Sequence, residues 1–388
     1  VYSGTTETMT QAFWIKFKVD FGKVLLLAFG WAFGMLLMTL HEYSLLGDNG
    51  HYPNGMAYNF SEAIWLTPTI AFIAGLFLGS FEIFYLFPRM KRKSFGYNLR
   101  FKAIFYFVLL YIIIGAGVHV YNCILLSTSL FDAEAVNGTR LFLASPFSLI
   151  IVLIWSATFI LMLFILQVSD KFGQGVLKDF ILGKYHHPKI EKRIFMFLDM
   201  KSSTTIAEKL GHIQYFQLLN DFFKDLTDPI VAHKGKIYQY VGDEVVVFWE
   251  MEAGLQDANC INCFFALEDQ IKHLSSYYLE TYGLVPEFKA GLYFGEVTTG
   301  EIGIIKKEII FTGDVLNTTA RIQGMCNSTS SKLLVSKGLI ELIPMKKSGF
   351  GYADIGNVEL RGRKSRIELV RVTKNKFREK KIISSNYE

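Results

Sequence analysis

The sequence predicts a two-part protein: an α-helical transmembrane bundle of four spans, followed by an α+β domain built on a ferredoxin-like core. Three observations carry that expectation. The chain of 388 residues is 51% hydrophobic, with a mean hydropathy of +0.29, too apolar for an ordinary soluble enzyme. Its first half holds four apolar runs, each long enough to cross ~30 Å of hydrocarbon. After Asp170 the pattern changes to short β-rich runs that alternate with helical periodicities.

The apolar runs are approximately Val24–Leu40, Ile64–Pro88, Ala103–Ile124 and Pro146–Val168. No small-residue cleavage site follows the first run, so a cleaved signal peptide is not expected. Lys16, Lys18 and Lys23 precede the first span, and Arg89, Lys91, Arg92, Lys93, Arg100 and Lys102 separate the second from the third. The loop from Glu42 to Glu62 has no Lys or Arg, and the loop from Leu125 to Ser145 has only Arg140. This asymmetry predicts an integral membrane protein with both termini and the α+β domain in the cytoplasm. Residues 1–169 form the membrane domain, 170–192 a basic, Gly- and Pro-broken linker, 193–373 the α+β domain, and 374–388 a polar tail.

In the α+β domain the strand candidates are Ile194–Met200, Lys236–Val241, Glu244–Trp249, Glu287–Phe294, Ile309–Phe311 and Lys332–Val335. The helix candidates are Ser202–Leu226, Asp257–Tyr282 and Asp314–Met325. In order they read β-α-β-β-α-β with a further β-α-β extension. The formal charge of +5 is modest, and its basic residues sit beside apolar segments, so no nucleic-acid partner is expected. Of four cysteines, Cys260 and Cys263 form a CxxC inside a helical pattern and read as buried thiols, since no second pair completes a zinc set.

The chemistry gathers at strand ends. Phe197-Leu198-Asp199-Met200 ends an apolar strand on an aspartate, and Tyr240-Val241-Gly242-Asp243-Glu244 is a tight turn bearing another. On a β-α-β-β core those two ends lie side by side, within reach of a shared pair of hard divalent cations. By itself each aspartate fits an ordinary structural role, in a hairpin turn or at a helix N-terminus. A third segment, Phe311-Thr312-Gly313-Asp314-Val315-Leu316-Asn317-Thr318-Thr319-Ala320-Arg321, carries Asn317 and Arg321 four apart on one helical face. An amide and a guanidinium side by side suit a ribose and a phosphate under substitution.

The segments Phe197–Met200, Val241–Trp249, Gly291–Gly300 and Thr312–Arg321 resemble, in order and spacing, the class III nucleotidyl cyclases, the adenylyl and guanylyl cyclase family. The resemblance runs from about Arg193 to Val372, and the spans with their linker look like bacterial membrane-bound members. It implies a class III cyclase fold, and an inner-membrane enzyme that turns a nucleoside triphosphate into a 3′,5′-cyclic nucleotide and pyrophosphate. Asp199 and Asp243, with the Met200 carbonyl, match the ligands of two Mg²⁺ or Mn²⁺ ions. Asn317 matches the ribose-orienting asparagine and Arg321 the arginine that stabilises the transition state. Lys289 matches a triphosphate contact, and Arg361 or Arg363 a late triphosphate-binding cation. Members act as dimers with sites at the interface, so a homodimer is implied.

The base-selecting positions depart from the family. Adenylyl cyclases usually place Lys at the position of Gln239 and Asp, Thr or Ser at that of Ile310; guanylyl cyclases place Glu and Cys. Gln239 offers both a donor and an acceptor, and Ile310 offers neither. ATP is the expected substrate, with GTP or a pyrimidine triphosphate as alternatives, and a silent receptor domain as a reading of another class. Val241–Val245 echoes the hairpin of diguanylate cyclases, which need no Asn–Arg pair like Asn317 and Arg321. In the membrane half, Glu82 is expected to snorkel or pair with Arg89, and His119 and His41 to pack or hydrogen-bond rather than bind metal.

Overall fold

The computed structural model describes residues 2–47, 59–90, 93–172, 183–304, 307–343, 349–359 and 366–374. They fall into two compact units, one made of Phe17–Phe172, the other of Gly173–Glu388 together with Val1–Lys16. Arg361, Arg363 and residues 173–182 of the expected linker lie outside the described residues.

The apolar unit contains α1 (Tyr2–Leu46) from Phe17 onward, α2 (Phe60–Ser80), α3 (Phe95–Leu126), α4 (Ala133–Leu143) and α5 (Pro146–Phe172). Beyond Ser80, α2 runs on through a π-helical turn, Phe81–Leu86, and a last turn, Phe87–Met90. Four stretches are long and apolar enough to cross a membrane: Phe17–Leu46, Phe60–Met90, Phe95–Ile124 and Ser148–Ser169. Val24, Leu27 and Trp31 of α1 pack with Leu78 of α2, Tyr106 and Leu110 of α3, and Val152, Phe159 and Leu163 of α5. A Cβ on Gly75 would lie 2.7 Å from the Ala28 Cα, so glycine is what lets α2 approach α1. The loop expected over 125–145 contains α4, an amphipathic helix too short to register as a span. Asp132 caps it by accepting from the Glu134 and Ala135 amides, at 2.9 and 3.2 Å.

Glu82 corrects the sequence expectation. Its carboxylate is buried and pairs with the equally buried Lys102, Nζ to Oε1 2.5 Å, while the Tyr106 hydroxyl donates to Oε2 at 2.7 Å. Arg89 instead lies over the Tyr85 ring and donates to the Tyr85 carbonyl. His119 is hydrogen-bonded to the Thr139 hydroxyl and the Leu130 carbonyl.

The second unit is a mixed sheet with helices on its faces. Its elements are β1 (Lys189–Met200), α6 (Ser203–Leu210), α7 (His212–Ala232), β2 (Lys236–Val241) and β3 (Glu244–Glu250). Then follow α8 (Met251–Leu255), α9 (Asn259–His273), α10 (Ser275–Tyr282), β4 (Phe288–Ile302), β5 (Glu308–Thr312), α11 (Asp314–Gly324), β6 (Leu333–Ser336), α12 (Lys337–Leu342), β7 (Phe350–Val358) and β8 (Ile367–Lys374). Strand order is β2-β3-β1-β4-β6-β8-β7, with β5 paired to β4. The continuous apolar run of β1 is buried on both faces, as a central strand requires. Met196 and Leu198 face Leu218 and Phe222 of α7 and Phe264 of α9, whereas Phe195 and Phe197 face Val297 and Val315 on the other side.

Two expected helices are divided. The helix read over Ser202–Leu226 breaks at Gly211, whose φ of +74° is left-handed, and then continues to Ala232. The one read over Asp257–Tyr282 breaks at Leu274, and Asp257 and Ala258 ahead of α9 adopt left-handed backbone. The final hairpin, β7 and β8, is not among the elements the sequence predicts. Cys260 and Cys263 are free and buried in α9, and burial pushes the Cys260 thiol up to about 12.

Candidate active site

The register of β1 assembles the site. Asp199 pairs with Glu244 at the start of β3 on one side and with Lys289 of β4 on the other. The β2–β3 hairpin turns through Gly242, at φ +62°, and so delivers Asp243 beside the end of β1. Asp243 directly precedes Glu244, the register partner of Asp199, so the two aspartates neighbour each other at adjoining strand ends. Burial, and then the Asp243 carboxylate, raise the Asp199 pKa, against an opposing pull from Lys289. Glu244 is pushed up to about 7, by burial first and then by Asp199 and Asp243. Tyr215 of α7 is raised by burial and by Asp243. Among the described residues, three carboxylates thus gather here beside one cation, Lys289.

Two donors meet one oxygen of Asp199. The Lys289 ammonium is 3.3 Å from Oδ2, and the Gln323 amide donates to the same atom at 3.0 Å. No hydrogen-bond donor among the described residues meets Oδ1. Gln323 comes from α11, which packs on β4 and β1. A Cβ on Gly291 would lie 2.5 Å from the Gln323 nitrogen, so glycine permits this contact between helix and strand.

Asn317 and Arg321 share α11 with Gln323 but not its buried face. Val315, Thr318, Thr319, Ile322 and Gln323 turn inward; Asn317 is exposed and Arg321 half-buried. Neither Asn317 nor Arg321 has a hydrogen bond or ion pair among the described residues. The structure therefore brings together Asp199, Asp243 and Lys289, and leaves Asn317 and Arg321 on a different face. Gln239 is exposed on β2, after a register irregularity between Ile237 and Gln239, and Ile310 is half-buried on β5. Their chain neighbours Tyr238 and Phe311 touch edge to face at 4.9 Å, so the two positions lie on strands that meet.

Gln323, Glu244 and Tyr215 were not among the site residues read from the sequence. Glu244 was legible, being adjacent to Asp243 in the turn. Nothing local marks Gln323, whose partner is 124 positions away. Half-buried carboxylates that raise each other's proton affinity are the donor set that hard divalent cations favour, so the residues present fit such ions. No cluster of three or more His, Cys, Asp or Glu ligands that could hold a metal ion occurs among the described residues.

Residues 186–373 match the family model described as adenylate and guanylate cyclase catalytic domain. Adenylate cyclase 2 of Rhizobium meliloti (strain 1021) is 33% identical over 212 residues, which cover 54% of this chain and 58% of that protein. Adenylate cyclase 1 of the same organism is 25% identical over 183 residues, 46% of this chain and 27% of that protein. The chain thus spans little more than half the length of the first of these relatives and about a quarter of the second. A bacterial light-regulated adenylyl cyclase shares the fold, with a TM-score of 0.50 at 21% identity over 58% of this chain and 66% of that one.

Proposed function

We propose that this chain, whose residues 186–373 belong to the class III nucleotidyl cyclase family, is a membrane-anchored adenylyl cyclase that forms 3′,5′-cyclic AMP and pyrophosphate from ATP. The observation that carries the reading is the convergence of Asp199 and Asp243 at adjoining strand ends, with Lys289 their nearest cation. ATP is favoured because both curated relatives named above are adenylate cyclases. The exposed amide of Gln239 can read a guanine edge as well, so GTP is the second reading.

In this mechanism Asp199 and Asp243, with the Met200 carbonyl, would hold two divalent cations, Mg²⁺ or Mn²⁺. When bound, these ions neutralise the triphosphate and acidify the ribose 3′ hydroxyl. Asn317 orients the ribose, and the Arg321 fork takes up charge spread over the α-phosphoryl oxygens. Lys289 and Arg361 or Arg363 hold the leaving phosphates. The outward face of α11 supports a homodimer in which each subunit lends Asn317 and Arg321 to the carboxylates of the other. Such a site is complete only when two copies align. The four apolar helices are proposed to span the bilayer with both termini cytoplasmic, following the positive charge of the loops, and to set that alignment. Residues 1–169, 170–192, 193–373 and 374–388 then act as anchor, linker, catalytic domain and tail.

Membranes carrying the full chain, supplied separately with ATP, GTP, CTP or UTP and Mn²⁺ or Mg²⁺, test this reading by mass spectrometry of the products. Cyclic AMP that disappears in Asp243→Ala is the expected result. A different cyclic nucleotide would overturn the substrate, and none from any nucleotide would overturn the activity. Activity regained on mixing inactive Asp199→Ala with inactive Asn317→Ala would support the shared site; its absence would sink it.

A further inference from the structure

We propose that Gln323 is the positioning residue for Asp199: its buried amide fixes the carboxylate so that one oxygen is held by the protein and the other is offered to a cation. The inference rests on the cyclase reading above and names a role for a residue that lies outside the sequence motif. Gln323 is only 7% exposed, and its Nε2 donates to Asp199 Oδ2 at 3.0 Å. Lys289 approaches that same oxygen, at 3.3 Å, while Oδ1 has no donor among the described residues. A carboxylate held through one oxygen keeps a defined orientation. An amide can do this without adding a charge that would compete with the cation, as a second lysine would.

The backbone geometry supports a fixed role. Gly291 leaves no room for a side chain between β4 and the Gln323 main chain, so the amide starts from a rigid point. The helix is also double-faced: Gln323 meets Asp199, while Asn317 and Arg321 point away from it. In a homodimer, one rigid element would then hold the carboxylate of its own site and present the ribose and phosphate contacts of the other. Partners that orient metal ligands are commonly worth about 10- to 100-fold in metal affinity.

The test uses the full chain in detergent or nanodiscs. Mn²⁺ binding is measured by electron paramagnetic resonance without nucleotide, and the Mn²⁺ half-saturation of turnover is measured separately. Gln323→Met keeps the length and removes the donor; Mn²⁺ binding and half-saturation are expected to weaken about 10-fold, with turnover recovering at saturating Mn²⁺. Thr319→Val is the control, since among the described residues its buried hydroxyl bonds only the Val315 carbonyl of the same helix, at 2.7 Å; its Mn²⁺ affinity should be unchanged. Where the Met variant fails to assemble, Gln323→Asn, which withdraws the donor by one methylene, should weaken binding in the same direction. Unchanged Mn²⁺ affinity in a folded Gln323 variant, or an equal loss in Thr319→Val, would overturn the proposal alone. Mn²⁺ binding indifferent to Asp243→Ala would overturn the site itself, and the proposal with it.

Discussion

Both units bury charge among apolar side chains, and they do it in opposite ways. In the membrane unit Glu82 is fully matched: one oxygen takes the Lys102 ammonium, the other the Tyr106 hydroxyl, and the cluster is closed off by its surroundings. In the α+β domain Asp199, Asp243 and Glu244 face one close cation among the described residues, Lys289, and remain half-buried. A closed, neutral cluster stabilises one arrangement of helices. An open one with excess negative charge is the kind of oxygen donor set that hard divalent cations favour. The first cluster sits on the π-helical turn at Phe81–Leu86, from which Glu82 reaches Lys102 of α3.

The contrast can be broken from either side. The largest effect is expected in the membrane unit: Lys102→Met strands a buried carboxylate and should cost about 3–5 kcal/mol, read as the unfolding midpoint in detergent. Glu82→Gln with Lys102→Met should recover most of that loss, and a double variant as unstable as the single one would show that the pair is not neutral. In the catalytic domain the matching deletion should leave the fold intact and remove the chemistry. Asp243→Ala or Arg321→Ala should each lower turnover by on the order of 10²–10³, at an unchanged unfolding midpoint. Near-normal turnover in either would sink the site assignment.

Smaller effects sharpen the comparison. Gly291→Ala pushes a methyl against the Gln323 backbone and should cost about 1–3 kcal/mol by overpacking. It should also raise the Mn²⁺ requirement, so a destabilised variant with normal metal dependence would separate packing from site geometry. The smallest effect belongs to His233, whose pKa is lowered by burial while its Nδ1 meets the Pro229 carbonyl at 2.8 Å. The unfolded chain binds this proton more readily, so stability rises with pH through the window below about 6.5. His233 contributes in full above that value and loses its contribution as the pH falls. Denaturation midpoints at pH 5.5 and 7 should differ less in His233→Gln than in the parent, and an equal difference would assign the acid sensitivity to other groups.

Much of this architecture was legible because it is local. A run of apolar residues, or an alternation bounded by Gly and Asp, states its own conformation, and the acidic turn at Asp243 reads directly from Val241-Gly242-Asp243-Glu244. The hairpin of β7 and β8 was not read. Phe350–Val358 is half-exposed and carries Gly351 and Gly356; the register slips between Asp354 and Gly356, and Gly356 turns left-handed, so its alternation is weak. Gly211 ends a helix that periodicity alone runs through.

The sequence by itself determined four apolar helices, a strand-rich domain behind them, and the two acidic strand ends that join at its centre, since each depends on periodicity or on a turn within a few residues. Only the tertiary structure decided the partners: Glu82 with Lys102 rather than the nearby Arg89, Gln323 on Asp199 from 124 positions away, and Asn317 and Arg321 turned from the carboxylates they are expected to serve. Charge pairing is a matter of distance across packed elements, and chain spacing encodes that distance only within one helix or one hairpin.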